Sequence, residues 1–209
     1  MVMPVAKRVV LFVDYQNVYM RARDAFHNPH ADRHWMGQVN PTELGRYIVA
    51  RTPSPERVLH GVRIYRGMPN NERDPKGYRA ARRQIAAWGR QPLVTVTTRQ
   101  LRYPRNYPDS RPEEKGIDVQ IALDFVMMAV RDEYDIGILM SNDTDLRPAL
   151  EAVINLGSQT VEVATWEPRE GRPRQRLRLQ GTTAVAQPYC HWIGLEGYNS
   201  VSDHTDYAG

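Results

Sequence analysis

Short apolar runs alternate with stretches of helical periodicity along most of the chain. The run at 136–140 is apolar throughout, which is typical of a parallel strand covered on both faces. Buried strands are predicted at 9–13, 58–67, 92–101, 136–140 and 160–166. Helices are predicted at 17–26, 40–49, 74–89, 114–133 and, after a turn, within 141–157. This alternation predicts an α/β fold, doubly wound around a mostly parallel sheet of five to six strands with helices on both faces.

Two of the predicted helices begin at clear capping residues. Asn40 stands before Pro41, and Glu43 follows three positions after the cap. Asp74 stands in the same way before Pro75. Both patterns place the start of a helix to within a residue or two.

The pattern changes after the fifth predicted strand. We therefore divide the chain into a main domain at 1–166 and an extension at 167–209, which packs on that domain or trails from it. Within the extension, the arginine-rich stretch 167–181 is predicted to be a flexible loop or arm. The stretch 184–195 fits one more strand or a packed coil, and the last dozen residues are predicted to fray as a polar tail.

Four aspartates are predicted to meet at one edge of the sheet. Asp14 follows the first strand directly, and Asp143 and Asp145 follow the fourth. Asp118 lies near the start of the helix that leaves the third strand. Active sites of open parallel sheets lie beyond the carboxyl ends of the strands, near the point where the strand order reverses. These residues are therefore the candidate catalytic group.

Each aspartate also has an ordinary structural explanation. Asp143 or Ser141 could cap a helix, and Asp118 could complement a helix dipole. Asp14 could bond neighbouring backbone amides. Four carboxylates that repel one another, however, need a cation to be tolerated cheaply.

An all-oxygen cluster of this kind suits Mg²⁺ or Mn²⁺. These ions polarise phosphoryl oxygens and activate water for attack. Asn17, one turn after Asp14, could orient that carboxylate or hold a phosphate oxygen. Ser141 could hydrogen-bond a carboxylate or the substrate phosphate.

Three short motifs in this order resemble the NYN domain family of the PIN-like nuclease superfamily. They are D-x-x-N in "VDYQNVY", K-G-x-D in "EKGIDVQIALD" and S-x-D-x-D in "SNDTDL", and the resemblance covers roughly 8–166. It implies a metal-dependent ribonuclease fold, with the four aspartates around the metal and Asn17 as a polar partner. Lys115 and Asp124 match the family's helix motif. Asp124 lies about 240° around the helix from Asp118, so it is expected to support the site rather than to line it.

Basic residues are concentrated in the middle of the chain. The protein has 25 arginines and 3 lysines, and its net charge is +4. Residues 61–112 carry an excess of nine positive charges and are interleaved with aromatic residues. This suits single-stranded nucleic acid through phosphate contacts and base stacking, whereas the alternative is a solvated basic face. The residues expected to bind nucleic acid are Arg66, Arg79, Arg82, Arg83, Arg102, Tyr103 and Arg105.

Cysteine content and hydropathy indicate the setting of the protein. Cys190 is the single cysteine, which excludes an internal disulfide and a cysteine-rich zinc site, and fits a reducing, cytoplasmic location. The longest apolar runs are far shorter than the roughly 18–20 residues that span a bilayer. Three histidines, His27, His30 and His34, are predicted to lie in a solvated loop, with zinc binding or a role facing the substrate as alternatives.

The favoured function is a Mg²⁺- or Mn²⁺-dependent endoribonuclease that hydrolyses phosphodiester bonds in single-stranded RNA. A non-catalytic RNA-binding module with the same fold is the alternative from another class. A phosphatase of the haloacid dehalogenase type would need a second acid two positions after Asp14, where this chain has Gln16. RNA is preferred over DNA on the family resemblance alone, so DNA stays open, as does the oligomeric state.

Overall fold

The computed structural model describes residues 5–28, 32–51, 56–180 and 187–209. Within these ranges, six parallel strands form one sheet in the order β3-β2-β1-β4-β5-β6. The strands are β1 Lys7–Asp14, β2 Arg57–Met68, β3 Val94–Gln100, β4 Ile136–Met140, β5 Thr160–Trp166 and β6 Tyr189–Ile193. The predicted doubly wound α/β fold is confirmed.

The first five helices lie where the sequence pattern predicts them, and the sixth lies at 195–201, where no helix was predicted. They are α1 Tyr15–Phe26, α2 Pro41–Ala50, α3 Pro75–Gly89, α4 Ile117–Val130, α5 Arg147–Leu156 and α6 Leu195–Val201, with a short 3₁₀ turn at Thr144–Leu146 before α5. The Asn40 side chain accepts from the Glu43 amide at 3.2 Å, and the Asp74 side chain accepts from the Gly77 amide at 2.8 Å. Both predicted caps are therefore formed. Among the described residues, no helix is long and apolar enough to cross a bilayer.

The sheet has a hydrophobic core on each face. Alternate residues of β1 point to opposite sides, so Leu11 packs with α1, α2, α3 and α6, whereas Phe12 packs with α4 and α5. The ring of Phe12 meets Phe125 of α4 edge to face, with centroids 4.9 Å apart. Such a pair contributes about 1 kcal/mol beyond the area it buries.

The strand order reverses between β1 and β4. The chain builds β1, β2 and β3 outward to one edge and then returns to place β4 on the other side of β1. The helices that follow β1 and β4 therefore lie on opposite faces, and a crevice opens at the carboxyl ends of these two strands. Asp14 and Ser141 are the residues at that point.

The C-terminal region is more ordered than the sequence pattern indicates. Residues 189–193 form the edge strand β6, which corresponds to the strand alternative for 184–195. The predicted fraying of the last dozen residues is wrong, because Tyr198 and Val201 of α6 are buried in the core and the Tyr198 hydroxyl accepts from the Gly37 amide at 2.7 Å. Two apolar side chains three positions apart anchor this short helix despite its polar surroundings.

The arginine-rich stretch lies against the domain as irregular backbone; residue 181 falls outside the described residues. Leu177 and Leu179 are buried in the core beside α5. Arg169 and Arg172 donate to the carbonyl oxygens of Phe26 and Asp24, in the last turn of α1. Carbonyls at the end of a helix have no partner within it, so these arginines cap α1 from a distant part of the chain.

Candidate active site

Asp14 lies at the reversal point and is nearly buried. It is the last residue of β1, and its side chain is 8% exposed. One carboxylate oxygen accepts from the Asn17 amide at 3.3 Å, and the other accepts from the Ser141 hydroxyl at 2.8 Å. Asp14 therefore caps α1 and also links β1 to the loop that follows β4.

That loop is held in place by a series of hydrogen bonds between neighbouring residues and to α1. The Asn142 amide donates to the Asn17 side chain at 3.2 Å, and the Asp143 amide donates to the Ser141 hydroxyl at 3.0 Å. The Asp145 amide in turn donates to the Asp143 carboxylate at 3.0 Å. Asn17 and Ser141, which the sequence marks as polar partners of Asp14, thus join the first and fourth strand ends.

The charges around Asp14 do not balance. Burial raises the pKa of Asp14, and the carboxylates of Asp143 and Asp118 raise it further, against the hydrogen bonds from Ser141 and Asn17. The structure therefore brings Asp118 from the start of α4 and Asp143 from the loop after β4 within electrostatic reach of Asp14. Asp145 is exposed beside them, and its side chain faces solvent.

Glu114 is a fifth acid at this edge, and the sequence analysis missed it. Its carboxylate accepts from the Gly67 amide at the end of β2. The side-chain amide of Gln16, oriented to donate, reaches the same carboxylate at 3.0 Å. Burial raises the pKa of Glu114 to about 7, with further contributions from the negative charges of Asp14 and Asp118. The available signal was its position in "EKGID", four residues before Asp118.

Asp124 and Lys115 do not join this group. Asp124 accepts from the Tyr65 hydroxyl at 2.9 Å and from the Gln120 side chain at 2.9 Å, so it fastens α4 to β2. These contacts agree with the expectation that Asp124, on a different side of the helix from Asp118, supports the site rather than lining it. Lys115 is exposed in the loop before α4.

The predicted nucleic-acid-binding residues divide into two groups. Arg66 is held inside the domain, where it donates to the Gln84 side chain, and Arg83 donates to the backbone oxygens of Tyr207 and Gly209. Tyr103 is half-buried, and its hydroxyl accepts from the Asn70 amide at 3.1 Å. The remaining members have exposed side chains: Arg79, Arg82, Arg102 and Arg105.

The two predicted loop histidines that the structure describes, His27 and His34, make separate contacts. His27 packs edge-on against Tyr198 with centroids 5.2 Å apart, and burial lowers its pKa. His34 pairs with Asp206 at 3.1 Å. His30 lies outside the described residues.

The acid edge has the right chemistry for a divalent cation. Its carboxylate oxygens are the ligands that Mg²⁺ and Mn²⁺ prefer. Burial raises the pKa of Asp14, and the charges of Asp143 and Asp118 add to that effect in the direction that a cation would offset. In the described part of the chain, no three acidic, histidine or cysteine side chains converge as a ready set of metal ligands.

Comparison with known proteins identifies the family of the chain. The family model of the NYN domain matches residues 8–180. The chain belongs to the NYN domain family. This family is part of the PIN-like nuclease superfamily; its members are generally nucleases that bind nucleic acid and usually use divalent metal ions. The match extends beyond the fifth strand through residue 180, so the arginine-rich stretch that we expected to lie outside the resemblance is inside it.

A solved structure shows the same fold. It is the crystal structure of VPA0982, a protein of unknown function from Vibrio parahaemolyticus, with a TM-score of 0.51 and 23% sequence identity. The similarity covers 79% of this chain and 85% of that one. No curated protein matches the sequence.

Proposed function

We propose that this NYN domain is an endoribonuclease that depends on Mg²⁺ or Mn²⁺ and cuts single-stranded RNA. The observation that carries the proposal is the buried Asp14 at the strand-order reversal, with Asp118 and Asp143 close enough to raise its pKa. A surface that only bound phosphate would gain nothing from carboxylates, since they repel phosphate.

The site residues divide into acids that would hold the ion and polar residues that position them. Asp14, Asp118, Asp143 and Asp145 would hold the ion, which, when bound, polarises the phosphate and lowers the pKa of a water molecule. Ser141 and Asn17 fix the direction of the Asp14 carboxylate and of the loop after β4 through the bonds at 2.8 Å and 3.2 Å. Burial beneath α1 keeps bulk water away from the Asp14 carboxylate and so strengthens its charge interactions.

The RNA strand would run across the exposed arginines of α3 and of the loop after β3. Arg79, Arg82, Arg102 and Arg105 offer guanidinium groups for phosphate oxygens. Arg82 also lies 5.9 Å from the ring of Tyr78, so a base could stack in the same region. The preference for RNA over DNA comes from the family to which the chain belongs.

The test is cleavage of end-labelled single-stranded RNA and matched DNA in EDTA, Mg²⁺ or Mn²⁺. Wild type is compared with Asp118→Asn and with the control Asp132→Asn, whose side chain is 74% exposed at the opposite edge of the sheet. We expect RNA cleavage by wild type and the control only with metal, and no cleavage by Asp118→Asn, which still binds RNA. Full activity of Asp118→Asn would contradict the assignment. Binding without cleavage in every metal would favour the non-catalytic RNA-binding module.

A further inference from the structure

A cavity of about 370 Å³ lies beside the acid edge, between α1, α3 and the end of β2. Gln16 and Glu114 line it on the side that faces Asp14. Ala80 and Gln84 of α3 also line it. The proposed cleavage reaction as described above does not use this space.

Most of the cavity wall is apolar or aromatic. The rings of Tyr15 and Tyr19 line it and lie nearly parallel, with an interplanar angle of 25° and centroids 6.1 Å apart. Met20, Leu101 and Ala80 complete the apolar surface. A wall of this kind favours a flat aromatic ligand, because tyrosine rings and aliphatic groups pack on a π-face at little cost in conformational entropy.

One end of the cavity is polar and carries both hydrogen-bond donors and acceptors. Arg66 lines this end; its guanidinium lies 5.2 Å from the ring centroid of Tyr15 and is oriented by Gln84 and by the carbonyl oxygen of Gly67. Glu114 supplies a carboxylate at the same end. The edge of a nucleobase presents donors and acceptors side by side, and unpaired bases are recognised by stacking together with hydrogen bonds to that edge.

The cavity and the acid edge share a wall. Gln16 follows Asp14 by two residues, and the charge of Glu114 interacts with those of Asp14 and Asp118. A ligand in the cavity therefore lies next to the position of the phosphate in the proposed reaction.

We propose that this cavity seats one unpaired nucleobase of the RNA strand, belonging to the nucleotide next to the phosphate at the acid edge. Tyr19 supplies the accessible stacking surface, and the ring of Tyr15, which is only 7% exposed, packs behind it. Arg66 and Glu114 meet the edge of the base. The inference rests on the proposed nuclease function and adds to it a binding position for one nucleobase of the RNA.

The C-terminal residues form the outer wall of the cavity. Tyr207 and Ala208 line it, and Arg83 holds this segment through the backbone oxygens of Tyr207 and Gly209. His34 also lines the cavity, and its Nε2 donates a hydrogen bond to the Asp206 carboxylate at 3.1 Å. The wall is thus fixed from both α3 and the loop after α1, which favours a preformed cavity over one that the ligand must open.

Two variants on the same helix test the proposal. Ala80→Phe fills the cavity without removing a polar group, whereas Ala86→Phe places the same side chain at an exposed position of α3 that does not line the cavity. The probes are a fluorescent hexaribonucleotide and six versions of it, each with an abasic residue at one position. Binding is measured in EDTA, and cleavage is measured separately with Mg²⁺ or Mn²⁺.

We expect one abasic position to weaken binding by wild type and by Ala86→Phe about tenfold, the effect of losing one stacked base. Ala80→Phe should bind the intact hexamer about as weakly as wild type binds that abasic version. For Ala80→Phe, the abasic residue at this position should not weaken binding any further. Equal affinity for all seven probes, together with equal affinity of both variants, would overturn the proposal. Because the abasic series is also measured on wild type, the test does not depend on the fold of the variants.

The two readouts separate this proposal from the proposed nuclease function. A position-specific loss of binding without cleavage in any metal would support the base cavity and contradict the nuclease. If cleavage requires metal but neither an abasic residue at any position nor Ala80→Phe changes binding or cleavage, the result would support the nuclease and contradict the base cavity.

Discussion

The molecule contains two clusters of buried charge, and they are built in opposite ways. At the carboxyl edge of the sheet, Asp14 faces the like charges of Asp118 and Asp143, and its pKa is raised. On β5, Glu162 lies between Arg57 and His191, with N···O distances of 2.9 Å and 2.7 Å, and its pKa is lowered. Both carboxylates are buried.

The difference shows that partners, rather than burial, decide what a buried carboxylate does. Burial alone would raise the pKa of Glu162, but the hydrogen bond from His191 and the charge of Arg57 outweigh it. Glu162 is therefore satisfied within the fold and fastens β2, β5 and β6 together. For Asp14, burial and the charges of Asp143 and Asp118 outweigh the hydrogen bonds from Ser141 and Asn17, so its pKa is raised. A carboxylate perturbed in this way in a crevice is a candidate functional group.

The largest expected effect comes from neutralising Asp14. Asp14→Asn removes the charge and keeps one oxygen, which can still accept from the Asn17 amide, while its NH2 group faces the Ser141 hydroxyl, which can turn to accept. We expect RNA cleavage to fall at least about 100-fold. The free energy of unfolding should stay within about 1 kcal/mol of wild type, because the substitution also relieves repulsion. Cleavage assays and urea denaturation measure the two quantities. A large loss of stability would show that Asp14 is a structural residue like Glu162.

The converse effect is expected at Glu162. Glu162→Gln leaves Arg57 without its charged partner in a setting where the guanidinium is only 15% exposed, so we expect a loss of about 3 kcal/mol in the free energy of unfolding. Cleavage below the melting transition should remain near that of wild type. Urea denaturation and RNA cleavage at a low temperature test both statements. Loss of cleavage in a fully folded Glu162→Gln variant would mean that Glu162 also contributes to function, so that the two clusters would not differ in role.

The stabilisation from Glu162 should depend on pH with a definite sign. Since its pKa is lower in the folded state than its ordinary value of 4.5, its contribution is fully present above that value. It is lost as the pH falls through the lower, folded-state pKa. The stability difference between wild type and Glu162→Gln should therefore be largest near neutrality and shrink in acid, as measured by urea denaturation between pH 7 and pH 3. A difference that widens in acid would contradict the assigned direction.

The smallest effect is expected for a charge pair that burial does not strengthen. Arg46 and Glu43 of α2 lie 2.8 Å apart, but their side chains are 58% and 48% exposed. We expect Glu43→Gln to change the free energy of unfolding by no more than about 0.5 kcal/mol, and salt should reduce even that. Thermal denaturation at low and high ionic strength gives the value. A change as large as the one expected at Glu162 would mean that the difference in burial does not determine how much each ion pair stabilises the fold.

The strands and helices were predictable because each has a local signal. The all-apolar run at 136–140 and the caps at Asn40 and Asp74 depend on neighbouring residues alone, and the structure confirms all three. The C-terminal helix was not predictable in this way. Its two anchoring side chains, Tyr198 and Val201, stand among polar residues, and only the core beneath them gives them a partner.

The candidate site was predictable in so far as strand ends define it. Asp14 and Asp143 follow buried strands directly, so parallel topology was enough to place them together. Glu114 depends instead on the path of a long loop, which returns through an antiparallel bridge between Arg102 and Glu113. That path has no periodicity in the sequence, so the approach of Glu114 to Gly67 could be seen only in three dimensions.

The central position of β1 also sets an order of assembly during synthesis. Asp14 and Ser141 are 127 residues apart in the chain, as are Arg8 and Asp135, which join the opposite ends of the same two strands. On the ribosome, β1 can gain β2 on one side after residue 68 but must wait for residue 140 before its other side is covered. One side of the apolar strand β1 therefore stays uncovered while the chain between β2 and β4 is made, and an unpaired strand edge of this kind favours aggregation of the incomplete chain.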